Sequence, residues 1–490
     1  MYEHDSKRKL RLRLTFTYAV MILTTLGLVV VALFIALGYR YNQFDGRFEQ
    51  GGMIQFNSRP SGAEIQLDAV KLSNRTATRI TATAGNHAVM VSRDGYKPWQ
   101  KQATVKPGAV LWLNYVRLVP TDPKIETAAT YGSIASVMAS FDRSRFAVIE
   151  NDTQPTVTFS RVHDANVEHS SVTVPADKIT TPSAAGSSHF SLAGWDYANK
   201  RVLVLHTYDD SKTEYLLVSK DSGDPARNIS TEFGISIAEL QYDPTDSNIA
   251  YVLTTNHDIR RLNLSTSTLS GPLVTNASSL VVAYNGWIGY ATHPDASGIR
   301  TVGYVSKDKL TAKTMQTFTN MSGRSLSYTI ASYYNELYQL VVAGDSATVY
   351  RAELPGSDST DVIKSKTIAK LSLAKDVAFA GFSPREQRFV YIQNGRDIVT
   401  YDLELSSIAT VAPSAALNAK IGWLDDFHLL STADGTIEFM DYDGTNMQTL
   451  ARGASHAATL LAGNDKFFYY FTRDEAAGTV RLMRLSLTTE

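Results

Sequence analysis

The chain has 490 residues, 44% of them hydrophobic and 19% charged, with 47 basic and 48 acidic side chains giving a formal net charge of −1. That composition excludes a disordered chain, which needs low hydrophobicity and high net charge, and the near-neutral balance offers no general attraction to nucleic acid. Cysteine is absent, which removes disulfides, zinc–thiolate sites, iron–sulfur clusters, cysteine nucleophiles and lipid attachment through cysteine.

At the N-terminus, Lys7, Arg8, Lys9, Arg11 and Arg13 precede an uncharged stretch from Leu14 to Tyr39. About 24 residues at 1.5 Å each reach about 36 Å, enough to cross a hydrocarbon core of about 30 Å. Tyr18, Tyr39 and Tyr41 stand near its ends, where amphipathic rings favour the headgroup region. A secretory signal has an apolar core of only about 7–15 residues, so an uncleaved single-pass anchor in membrane lipid is expected over 14–39. The basic cluster precedes the span, and only Arg40 and Arg47 follow it closely. The positive-inside rule then places residues 1–13 in the cytoplasm and the rest outside the cell membrane.

A polar linker is expected over 40–53, broken by Gly46, Gly51 and Gly52. Short alternating strands follow at Met53–Asn57, Glu64–Asp68, Asn86–Ser92 and Ala109–Leu118, with turns at Pro60-Ser61-Gly62-Ala63 and Gly95-Tyr96. In this order stand Pro60-Ser61-Gly62-Ala63, Gly85-x-His87-x-Val89-x-Val91, Gly95-Tyr96-x-x-Trp99 and Leu118-x-Pro120. Residues 54–120 therefore resemble the PEGA domain, which implies a small β-sandwich of the envelope or surface type. The sequence departs from that family at Ser61, where the family has Glu, and at Asn74-Arg75-Thr76-Ala77, where it has Gly-x-Thr-Pro. His87 lies on a strand and reads as structural rather than as a ligand.

From 121 to 490 the chain repeats. A turn of aromatic-Asp/Asn type, or its acidic equivalent, recurs at Phe141-Asp142, Trp195-Asp196, Tyr242-Asp243, Tyr284-Asn285, Tyr334-Asn335, Phe382-Ser383, Asp425-Asp426 and Asn464-Asp465. Each turn leads into two apolar strands, as in Val202–Leu205 with Tyr215–Val218, or Phe467–Tyr470 with Val480–Met483. Such a repeat, at roughly 39–54 residues, matches the four-stranded blade of a β-propeller. The expected fold is thus all-β: a transmembrane helix, a small sandwich and a propeller of seven or, preferably, eight blades. Ile437 to Leu450, with its Asp441-Tyr442-Asp443-Gly444 turn, and Phe382-Ser383-Pro384 with Arg388-Phe389-Val390-Tyr391 are similar to the repeat of TolB-like propellers.

In the eighth repeat only Ser486 to Glu490 remain after Leu485, too little for an outer strand. An open seam would expose unpaired backbone groups, which propellers avoid. Ile125 to Ala129 is therefore expected to pair beside Val480 to Leu485.

Motifs that might carry chemistry are thin. Asp441-x-Asp443-Gly444-x-Asn446 lacks the distal Glu of a calcium loop and reads as a tight turn. Gly453-Ala454-Ser455-His456 lacks the last Gly of a nucleophile elbow. Asn74, Asn151, Asn228, Asn263, Asn276 and Asn320 begin glycosylation sequons, a frequent coincidence in a Ser/Thr-rich chain. The sequence singles out no catalytic, cofactor-binding or metal-binding residue, and it does not mark the ligand-binding ones. The expected function is recognition, with a protein or glycan of the envelope or surface as partner. An assembly factor is the first rival, and a hydrolase or lyase built into the propeller channel the second.

Overall fold

The computed structural model describes residues 3–36, 39–42, 47–162, 166–183, 187–209, 211–220, 226–284, 286–306, 310–319, 321, 324–354, 364–373, 377–394, 397–411 and 421–489. The chain divides into two compact units, one ending at Asp122 and the other running from Pro123 to Thr488.

Helix α1 spans Glu3–Ala36, and its segment Arg13–Phe34 is long and apolar enough to cross a membrane. It begins before the expected span because Lys, Arg and Leu are good helix formers and carry the helix through the basic cluster. Inside it the hydroxyls of Thr17, Thr24 and Thr25 donate to the carbonyls of Arg13, Val20 and Met21 at 2.6–2.8 Å. Those bonds satisfy the hydroxyls within the helix itself. The described helix runs to Ala36, and Tyr39 already lies in a strand. Tyr39–Asn42 (β1) and Arg47–Gln50 (β2) form an antiparallel hairpin where a linker was expected. The aromatic residues of these strands have high strand propensity.

The small domain stacks two sheets. One has the order β6 (Thr78–Ala82), β3 (Gly52–Arg59), β9 (Val110–Arg117). The other has β5 (Val70–Arg75), β4 (Glu64–Leu67), β7 (Gly85–Ser92), β8 (Trp99–Val105). Ile54 and Phe56 of β3, Val89 and Val91 of β7, and Trp99 and Val105 of β8 are buried at alternate positions, as the pleat requires. Strands β5, β6 and β8 go beyond the alternation read from sequence. β5 is an almost fully exposed edge, so no apolar pattern betrays it.

In the second unit the described residues hold eight four-stranded antiparallel sheets, the eight blades of the propeller. Blades 1 to 7 take 136–173, 189–228, 237–269, 277–318, 326–372, 377–411 and 422–452 in turn. The two central strands of a blade are buried on both faces. Ile249–Thr254, for example, is buried at every position, whereas the outer strand Val167–Thr173 is mostly exposed. Apolar clusters fill the spaces between blades. Ala147, Phe159, Trp195 and Val204 join blade 1 to blade 2, and Leu203, Leu217, Tyr242 and Val252 join blade 2 to blade 3.

The ring closes as the seam argument expects. Ile125–Tyr131 (β10) pairs antiparallel with Thr479–Ser486, Ile125 opposite Leu485 and Tyr131 opposite Val480, and becomes the outer strand of blade 8. Tyr131, Phe146, Val148, Phe471 and Leu482 then pack blade 8 onto blade 1.

Candidate functional site

The turns joining first and second strands gather at one end of the ring. Their closing hydrogen bond fixes how they correspond. The amides of Ser140, Asp196, Asp243 and Ser383 donate to the carbonyls of Arg145, Arg201, Ile249 and Phe389, each the first residue of the next strand. Phe141 and Tyr284 therefore follow the closing residue, whereas Trp195, Tyr242 and Phe382 precede it. The aromatic-Asp pattern read from sequence merges these two registers. Asn285 lies outside the described residues.

The Asp carboxylates of the first three turns are used by the turns themselves. Asp196 is fully buried and accepts from the amides of Lys200 and Arg201 and from Arg201 Nε at 2.8–3.1 Å. Asp243 accepts from the amide and hydroxyl of Thr245, and Asp142 from Ser140, the Ser144 hydroxyl and the Ser144 amide. Burial opposes ionisation of Asp142, but these hydroxyl and amide donors outweigh it and lower its pKa.

Aromatic side chains stand at the tips of four turns: Phe141 in blade 1, Tyr197 in blade 2, Tyr284 in blade 4 and Tyr334 in blade 5. Phe141, Tyr284 and Tyr334 are 48%, 51% and 80% exposed. Phe141 stacks on Tyr197 with centroids 4.4 Å apart, and Tyr284 meets the Tyr197 edge at 6.2 Å. Arg385, from the turn of blade 6, donates to the Phe141 carbonyl at 2.7 Å. Blades 2 and 4, and blades 6 and 1, are not neighbours, so these contacts require turns that lean over the ring axis.

Other bonds lock the turns to each other. The Asp142 amide donates to Asn199 Oδ1, the amides of Arg385 and Glu386 donate to Asp426, and Arg143 pairs with Asp465 at 3.6 Å. A cavity of about 350 Å³ lies beneath the tips, walled by Met138, Phe141, Trp195, Tyr197, Leu240 and Tyr242 from blades 1 to 3. Burial, with the nearby Tyr284 and Asp243, raises the Tyr197 pKa and keeps that phenol uncharged. The result is an aromatic patch of Phe141, Tyr197 and Tyr284 beside a largely apolar recess, suited to binding by stacking and burial.

The motifs singled out from sequence lie elsewhere. In the turn after Ile437–Asp441, Thr445 donates to Asp443 and Asn446 donates to Asp441, while Gly444 takes φ +82°. Both carboxylates thus serve the turn. Ser455 lies within hydrogen-bond distance of His456 Nδ1, but His456 Nε2 faces the Ile134 carbonyl, not a carboxylate. His87 is buried between Asp68, 2.5 Å from Nδ1, and the Thr83 carbonyl, 2.8 Å from Nε2. Asn228 caps a short helix and donates to Glu214, so its side chain is engaged inside the fold. Asn320 is outside the described residues.

The PEGA domain family matches residues 52–121. The chain carries a PEGA domain. In that domain the turn Pro60-Ser61-Gly62-Ala63 is held by Thr76, the one member kept from the family's Gly-x-Thr-Pro. Thr76 Oγ1 accepts from the Ala63 amide at 2.9 Å, its carbonyl accepts from the Gly62 amide, and its amide donates to the Ala63 carbonyl.

The solved structures similar to this chain include a β-propeller domain. An oligogalacturonate lyase in complex with manganese is 10% identical with a TM-score of 0.42, over 68% of this chain and 97% of its own. The oligogalacturonate lyase of Vibrio parahaemolyticus is 8% identical with a TM-score of 0.40, over 75% and 99%. The Swd1 β-propeller domain of Myceliophteria thermophila is 11% identical with a TM-score of 0.39, over 74% and 100%. The curated proteins give no sequence match.

Proposed function

We propose that this is a membrane-anchored interaction protein whose propeller binds a protein or glycan of the cell envelope through its aromatic turn end. The observation that carries the reading is the exposed rings Phe141 and Tyr284 with Tyr197 between them, beside a cavity of about 350 Å³ that Phe141 and Tyr197 help to wall, together with the exposed ring of Tyr334 on another turn of the same end. A surface of this kind gains affinity by burying aromatic area without ordering long flexible side chains. Orientation rests on charge: the basic residues before Arg13 favour a cytoplasmic N-terminus and an extracytoplasmic C-terminal part.

Two measurements test the proposal. Protease added to intact cells, or to spheroplasts where an outer membrane intervenes, digests everything after Tyr39 and spares the N-terminus; a protected propeller overturns the orientation. The full chain, purified natively from solubilised membranes, brings down a stoichiometric protein, or else binds within a glycan panel. The triple variant Phe141→Ser, Tyr284→Ser, Tyr334→Ser loses that partner. Equal recovery by a triple variant that melts like the wild type overturns the assignment of the turn end.

A further inference from the structure

Blade 2 holds a buried polar group that the binding reading does not use. His206 lies in Arg201–Tyr208 and is fully buried, its ring between those of Phe190 at 4.4 Å and Tyr208 at 4.9 Å, both near parallel. Glu214 stands directly opposite on the neighbouring strand, 2% exposed. Its Oε1 is 2.8 Å from His206 Nδ1, and Ser188 Oγ is 2.9 Å from His206 Nε2. Ser188 is only partly buried and sits just before the first strand of the blade, His189–Trp195.

The protons of this group can be placed. Glu214 accepts from the Thr180 amide at 2.9 Å, the Thr180 hydroxyl at 2.6 Å and Asn228 Nδ2 at 2.8 Å, besides His206. Burial opposes its ionisation, but His206, Thr180 and Asn228 outweigh that and lower its pKa to about 2. An ionised Glu214 only accepts, so His206 Nδ1 carries a hydrogen toward it. In the neutral ring with that tautomer, Nε2 accepts from the Ser188 hydroxyl. A serine donating to an imidazole, itself fixed by a buried carboxylate, is the arrangement that activates a serine oxygen.

We infer that Ser188, His206 and Glu214 form a nucleophilic relay that hydrolyses carboxylic esters. Ser188 Oγ bonds to the ester carbonyl carbon while its proton passes to His206 Nε2, and Glu214 stabilises the imidazolium. The carbon–oxygen bond to the alcohol breaks, and the alcohol leaves with that proton. Water then attacks the acyl-serine, giving its proton to His206, and the carboxylic acid leaves as Ser188 recovers its hydrogen. This activity is separate from the aromatic end, and it extends the function beyond binding.

The test uses the full chain in detergent and a fluorophosphonate probe, in which the serine oxygen forms a bond to phosphorus and fluoride leaves. The expected result is a single adduct on the peptide holding Ser188, lost in Ser188→Ala and kept in Ser187→Ala. Glu214→Gln, which retains a hydrogen-bonding side chain, and His206→Gln slow labelling by at least about 100-fold, the usual size of a general-base contribution. Hydrolysis of p-nitrophenyl acetate falls in parallel. Absence of an adduct on Ser188 in the folded wild type overturns the relay. So does an unchanged labelling rate in either variant with an intact melting transition. The triple aromatic variant keeps wild-type labelling, so loss of the binding proposal and loss of this one are told apart.

Discussion

Glu126 and Arg484, 358 positions apart, meet across the last ladder of the ring with Oε2 2.5 Å from the guanidinium. Lys124 reaches the other oxygen of Glu126, and hydrogen bonds from Lys124 and Arg484 lower the Glu126 pKa. The same ladder is fixed by the Ser486 amide donating to the Lys124 carbonyl at 2.8 Å. These contacts mark a propeller whose first strand completes its last blade, so that the ring is closed by chain far apart in sequence.

Deleting residues 122–129 is therefore expected to lower the melting temperature of the whole propeller rather than loosen one blade. The deletion strips the edge of blade 8 and removes Ala128 and Ala129 from the contact with blade 1. Calorimetry of the full chain decides it, and an unchanged ring transition would sink the closure argument. A milder check is charge reversal: Glu126→Arg and Arg484→Glu each weaken the seam, and the double reversal restores it.

How much of this was legible beforehand follows from burial. The two central strands of each blade are apolar along their length because neighbours cover both faces, and they stand out in sequence. Outer strands such as Val167–Thr173 are written in Ser, Thr, His and Glu. First strands are short, as at Gly422–Trp423, or bulged, as between Leu192 and Gly194. The seam was legible because one repeat visibly lacked a strand. The aromatic end was not, since Phe141, Tyr197 and Tyr284 come from turns that meet only after the ring has formed. His206 and Glu214 were hidden for a related reason: two polar residues in apolar strands acquire meaning only once their register is known.

Thr76 pins the PEGA turn, and Thr76→Val is expected to destabilise that domain by about 1–3 kcal/mol. Valine keeps the shape but leaves the Ala63 amide without the Oγ1 acceptor, at a site where Ala63 is fully buried. Ser58 Oγ, 2.5 Å from the same hydroxyl, loses that contact too. Thr76→Ser keeps both bonds and is expected to lose far less. Denaturant titration of the two variants checks the order, and equal losses would show that volume rather than the hydroxyl matters.

His87 gives the PEGA domain a pH dependence of definite sign. Burial disfavours the charged ring, but Asp68 and the Thr83 carbonyl outweigh it and raise the His87 pKa above its ordinary value. The folded state therefore binds this proton more tightly than the unfolded state, whose pKa is about 6.5. The stabilisation is complete below that value and disappears as pH rises through the folded pKa. Melting of the domain is expected to fall as pH rises above the ordinary histidine value. His87→Gln flattens this dependence, and a wild-type midpoint that rises with pH there would contradict the assignment.

Arg388 and Asp402 form a buried two-point ion pair in blade 6, with Nε and a terminal nitrogen 3.1 and 2.7 Å from the two carboxylate oxygens. Burial disfavours the guanidinium, but Asp402 and then Glu404 outweigh it and raise its pKa. Asp402 has a second task, because its Oδ1 accepts from the amides of Glu404 and Leu405 at 2.9 and 3.1 Å. Arg388→Met strands a buried carboxylate and is expected to cost about 3–5 kcal/mol. Replacing both partners by apolar residues would not restore that loss, because the two amides would then lack their acceptor. Adding Asp402→Asn to Arg388→Met removes the uncompensated charge while keeping an oxygen for those amides, so the double variant is expected to be more stable than Arg388→Met alone. Denaturant midpoints of the three proteins test this directly, and a double variant no better than Arg388→Met would mean that the cost lies in lost packing around the arginine stem rather than in the charge.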